Sequence, residues 1–156
     1  MFTSSRRLTA LALVFVTAAG LLAAGDKDEA VKKDRKAYQG TWQATRVVAD
    51  GNELKPEDVQ RITVVNEPDG KWQLLADGKE VDRGTHTIDP AKKPRTIDMV
   101  VTEGGNKGKT YLGIYELSGD TRKVCYGDSG KDRPTEFEST AGSGRILAEF
   151  KRVKKD

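Results

Sequence analysis

His86 is the only histidine in the chain and Cys125 the only cysteine. A multi-histidine metal site is therefore ruled out, and a histidine triad would depend on this one imidazole finding a nucleophile and an orienting group beside it. In "RGTHTID" His86 sits mid-strand between Thr85 and Thr87 and reads as a partly exposed strand residue. Cys125, between Val124 and Tyr126, reads as a small buried hydrophobe rather than a reactive thiol.

Asp98, Glu103, Glu116, Glu136 and Glu138 are the carboxylates that could serve as a glycosidase-like acid and base. Asp98 and Glu116 alternate with apolar neighbours, so each points either to solvent or into a cavity. Charged residues make up 33% of the chain, so such placements are expected without any function. The stretch "GGNKGKT" (104–110) is one residue short of a phosphate-loop frame and leads into a strand instead of a helix, so it reads as a hairpin loop. The basic ends "KKDRK" (32–36) and "KRVKK" (151–155) are flanked by acids and read as solvated tails rather than nucleic-acid or lipid sites. No catalytic residue, cofactor or metal is assigned on these grounds.

The elements that would position these groups are strands. Turn signals recur at Asp50-Gly51, Asp69-Gly70, Asp77-Gly78, Asp89-Pro90, Gly104-Gly105-Asn106, Gly119-Asp120, Gly127 to Gly130 and Gly142 to Gly144. This rhythm leaves no room for long helices and predicts an antiparallel all-β domain. Strands are expected at 41–49, 60–66, 71–76, 79–88, 95–102, 109–118, 121–127, 134–139 and 145–153. In "RTIDMVVT" the residues Ile97, Met99 and Val101 share one face. "KTYLGIYEL" is apolar on both faces and is the best candidate for a central strand. Asp77-Gly78 is a two-residue hairpin signal, and Pro56 can open one helical turn. Eight or nine short strands fit a closed barrel or a β-sandwich equally well on pattern alone; closure has the merit of removing exposed edges.

The first 25 residues differ from the rest. Arg6 and Arg7 precede an apolar run from Leu8 to Ala24 that ends in small residues before "DKDE". That order predicts a secretory signal peptide over 1–25, cleaved near Ala23-Ala24-Gly25, against the competing reading of an uncleaved anchor. Residues 26–37 are a mixed-charge lead expected to form a frayed linker or a short helix. Residues 38–154 make one β domain, with no second apolar segment to span a membrane. Without Arg6 and Arg7 the formal net charge falls from +3 to +1, which argues against nucleic acid as a partner. Exported with a lone cysteine, the domain folds without an internal disulfide and depends on burial and strand pairing.

Several blocks together resemble a family of small secreted proteins abundant in planctomycete-type bacteria. They are Gly40-Thr41-Trp42, "GTHTIDPAKKPRTIDM" (84–99), "GKTYLGIYELSGDTRKVCY" (108–126), "RPTEF" (133–137) and "FKRVK" (150–154), so the likeness covers about Tyr38 to Lys154. The family is described as a conserved domain of unknown function similar to the lipocalin-like barrel, and it supplies no catalytic residues. By that resemblance the fold is an antiparallel barrel of about eight strands. Gly40 and Trp42 would form its floor, with Arg145 or Arg152 capping the indole. The chain departs from the family pattern at Arg122, where related chains tend to carry an apolar residue, and this puts the burial of that side of its strand in question.

These readings converge on an exported, non-enzymatic barrel, periplasmic or extracellular, that could bind a small apolar ligand. Trp72, Met99, Tyr111 and Tyr115 are the side chains expected to line a cavity, unless they simply fill the interior. The alternative function is a structural or protein-interaction module of the cell envelope.

Overall fold

A computed structural model describes residues 19–155. The signal-peptide expectation falls mostly on residues 1–18, outside the described residues. The mixed-charge lead is helical: α1 (Ala19–Tyr38) runs through Ala23-Ala24-Gly25 and ends where the first strand begins. Among the described residues no helix is long and apolar enough to cross a membrane.

Nine strands follow: β1 (Gly40–Ala49), β2 (Asn52–Glu53), β3 (Ile62–Asn66), β4 (Lys71–Ala76), β5 (Lys79–Asp89), β6 (Arg95–Gly104), β7 (Thr110–Ser118), β8 (Thr121–Tyr126) and β9 (Ile146–Arg152). A single helical turn, α2 (Pro56–Val59), separates β2 from β3, with Pro56 in the first turn, where its missing N–H costs nothing. Each strand from β3 onward pairs antiparallel with the next, and β9 returns to pair with β1 from Trp42↔Arg152 to Ala49↔Ile146. The result is a closed eight-stranded antiparallel barrel, with β2 a two-residue appendage on β1. Pattern alone left a sandwich open; the β1–β9 ladder decides for the barrel.

Turn chemistry sets the register. Asp77 and Gly78 both take positive φ, 52° and 73°, as the tight β4–β5 hairpin requires. Register shifts at Ala44/Arg46, Leu74/Leu75 and Arg83/Gly84 bend strands that must curve to close. Gly84 also admits Trp72: a Cβ there would lie 1.8 Å from the Val100 carbonyl oxygen and 3.0 Å from the indole.

Two apolar clusters hold the barrel. Inside, Trp42, Ala44, Val47, Ile97, Tyr115 and Phe150 pack around Tyr38 at the end of α1. Outside, Val48, Ile114, Cys125 and Leu147 are covered by Phe137. The second cluster explains why β7 is apolar on both faces. The covering segment corrects one expectation, because residues 134–139 form no strand. Pro134 is fully buried, and Arg133 donates to the carbonyls of Ile97 (3.0 Å) and Gly113 (2.8 Å) and to Asp98 (2.6 Å). The segment therefore lies over the outside of the barrel as a strap, anchored by side chains instead of a ladder.

Candidate functional site

Strand register defines the two ends of the barrel. Gly40, Asn66 and Trp72 come together at one end, with Gly40 paired to Asn66 and Asn66 to Trp72. The α1 helix closes this end. Trp42, with 0% of its surface exposed, donates from its indole Nε1 to the Tyr38 carbonyl at 2.9 Å. Arg152 donates to the carbonyls of Gln39 and Ala37, both at 2.6 Å, and its guanidinium carbon lies 4.2 Å from the Trp42 ring centre. Trp42 and Arg152 thus satisfy carbonyls that the last helical turn leaves without intrahelical partners. Gly40 makes the approach possible: its φ is +115°, and a Cβ would lie 2.8 Å from Arg152 Nη1. Deeper in the same helix Asp34 accepts from the Tyr115 hydroxyl at 2.7 Å and from Arg95 at 3.0 Å. Burial and the adjacent Asp34 carboxylate both push the Tyr115 phenol well above its ordinary range.

Above this floor lies a cavity of about 290 Å³, near the lower end of the size of small-molecule sites. Its walls are apolar, with Val47, Val64, Leu74, Met99, Val101 and Ala148 contributed by five different strands. Val81 and Ile146 line it too and are 43% and 40% exposed, so they mark its mouth. Three polar side chains line the deep end and are buried: Asn66, His86 and Arg122, the last only 3% exposed.

These three carry donors without partners. Arg122 Nε and Nη1, Asn66 Nδ2 and both ring nitrogens of His86 are buried and make no hydrogen bond. The Arg122 guanidinium instead lies over three aromatic rings, 4.4 Å from Phe150, 4.6 Å from Tyr38 and 4.8 Å from Trp42. Each such contact is worth about 2 kcal/mol when desolvated, against a burial cost of several kcal/mol for an ion. Burial lowers the Arg122 pKa, and the other charged or titratable neighbours that act on it are Tyr38, Tyr126 and Arg152, none of them a carboxylate. His86 packs against Tyr38 with ring centres 5.1 Å apart and planes tilted by 49°. Its pKa is lowered to about 4, first by burial and then by Arg122, so its imidazole is neutral near pH 7.

Of the residues expected to line a cavity, Trp72, Met99 and Tyr111 do so. Tyr115 is fully buried below, edge-on to Tyr38, with its hydroxyl on Asp34. Of the expected floor residues, Gly40, Trp42 and Arg152 meet as described. Arg145 lies at the opposite end of the β1–β9 pair, where its carbonyl accepts from Asp50.

The expectation for His86 is corrected, and the question raised at Arg122 is resolved. His86 is buried, because β5 alternates strictly and turns Asp82, Gly84, His86 and Ile88 inward. Arg122 is buried, because β8 must keep its inward face whatever residue stands there and the aromatic rings accept the charge. In the basic ends the lysines are exposed, as expected of solvated tails, while Asp34 docks on Tyr115 and Arg152 on the Ala37 and Gln39 carbonyls. Cys125 is buried on the outer face, and burial raises its pKa. Asp98 pairs with Arg133, and Glu103, Glu116, Glu136 and Glu138 are exposed away from the cavity. Among the described residues no cluster of His, Cys, Asp and Glu suits a metal ion.

No family model, curated protein or solved structure matches the chain.

Proposed function

We propose that this protein is an exported, lipocalin-like barrel that holds a small apolar ligand without transforming it. The observation that carries the reading is the cavity of about 290 Å³, walled by apolar side chains and reached past Val81 and Ile146. A protein interior is ordinarily close-packed, so an apolar space of this size with an exposed rim is more than a packing defect. Export draws its support from the order of Arg6, Arg7, the apolar run and the small residues in the sequence, and from the resemblance to a secreted family.

Titration of the purified protein with the neutral fluorescent probe N-phenyl-1-naphthylamine tests the binding reading. Saturable enhancement at one probe per chain is expected, and Val101→Phe, which fills the cavity, should weaken it at least tenfold while leaving the circular dichroism spectrum intact. Absence of saturable binding by the parent protein would reject a carrier role. Mass spectrometry of the protein recovered from a bacterial periplasm tests export, which predicts a chain beginning close to Asp26.

A further inference from the structure

The cavity is not uniformly apolar, and its polarity is arranged by depth. Its rim carries Val81 and Ile146 beside the mutually bonded Asp82 and Asn106, whereas its buried end carries Arg122, His86 and Asn66, which have donors free. This inverts what solvation alone would favour, since a guanidinium is best left at the mouth, in water. The three rings around Arg122 receive the charge over their faces but leave Nε and Nη1 without acceptors. The one carboxylate lining the cavity, Asp82, cannot serve: it is engaged by the Asn106 backbone (3.0 Å) and side chain (2.7 Å). It also sits on β5 four residues from His86, roughly 13 Å along the strand. Among the described residues, Arg122 forms no ion pair, and the charged or titratable groups that act on it are Tyr38, Tyr126 and Arg152.

A buried cation with free in-plane donors, at the closed end of an apolar pocket, calls for an acceptor-rich anion delivered on an apolar body. Resting on the carrier reading above, we propose that the ligand is a single-chain organic acid, bound with its carboxylate on Arg122 at the barrel floor and its hydrocarbon chain extended towards Val81 and Ile146. His86, held neutral, supplies one N–H to the same head group, and the Asn66 amide supplies another. The cavity volume limits the tail to medium length, so decanoate is the appropriate probe.

Isothermal titration of the full chain with decanoate, decanol and decyltrimethylammonium separates the head group from the tail. Decanoate should bind at least tenfold more tightly than decanol, and the cation should not bind detectably. In Arg122→Met the decanoate affinity should fall at least to the level the parent protein shows for decanol. Comparable binding of decanol and decanoate by the parent protein would overturn the anion assignment while leaving the carrier reading intact. No binding of any of the three, together with no binding of the neutral fluorescent probe, would overturn both. The head-group comparison uses the unaltered protein, so it decides the matter even where Arg122→Met fails to fold.

Discussion

The Arg152 guanidinium lies over the Trp42 indole at 4.2 Å while donating to the Ala37 and Gln39 carbonyls, so one side chain ties the last strand, the first strand and the helix together. Removing it takes away a cation–π contact and two charge-assisted hydrogen bonds. Arg152→Ala should lower stability by about 2–3 kcal/mol in urea denaturation. Arg152→Lys should recover less than half of this, because an ammonium cannot reach both carbonyls while covering the ring. Full recovery by lysine would show that charge alone matters.

Trp42 is the residue against which the floor is built. Trp42→Ala should cost about 3–5 kcal/mol, as for a fully buried large side chain, and Trp42→Phe about 1 kcal/mol more than its lost volume because the Tyr38 carbonyl loses its donor. A cost for Trp42→Ala no greater than that of truncating an exposed aromatic would refute the floor assignment.

Asp34 accepts from both Tyr115 and Arg95 and is the polar anchor of α1 on the barrel. In Asp34→Ala the Tyr115 hydroxyl is left buried without an acceptor, at a cost of about 1–3 kcal/mol. Hydrogen exchange should report faster exchange across residues 30–38 than across β3 to β6. Uniform acceleration would mean that the helix is not a separately anchored unit.

Arg122 should behave in the opposite sense to Arg152. In buffer free of organic anions, Arg122→Met replaces a buried ion that has aromatic faces but no hydrogen-bond acceptors by an apolar chain of similar length, and the denaturation midpoint should stay level or rise, by up to about 4 kcal/mol in stability. A loss comparable to that of Arg152→Ala would show that the three rings already compensate the charge.

His86 makes stability depend on pH. Its folded pKa is about 4 against an ordinary 6.5, so between these values the unfolded chain takes up a proton that the folded chain does not. Its contribution is therefore complete above about pH 6.5 and is lost as pH falls towards 4, by about 3 kcal/mol across the window. Denaturation curves at pH 7, 5.5 and 4 should show His86→Phe losing less stability on acidification than the parent. Parallel loss in both chains would count against a neutral, buried imidazole.

Much of the barrel was legible in the sequence. Alternation and Gly-containing turns placed eight strands close to their observed limits, since both signals are local: side-chain period along a strand, and φ at a turn. The Gly-x-Trp element could also be read, because Gly40 and Trp42 stand in one short motif. The strap escaped, since 134–139 has a strand's composition but is held by Arg133 across long sequence distances. A short helix was one of the two readings of 26–37, but its docking escaped for a related reason. Val31, Asp34 and Tyr38 recur at helical spacing, but a charged residue in the middle of that face looks like solvent until Tyr115 is placed opposite it.

The sequence by itself determined the strands, their hairpins and which residues share a face, because those follow from backbone geometry between near neighbours. Only the tertiary structure decided that β1 and β9 close the sheet, and that closure is what turns Arg122, His86 and Asn66 towards a common interior. Taken singly, an arginine and a histidine on strands are ordinary surface residues. Burial is a property of the whole barrel, and it alone gives their unpaired donors a meaning.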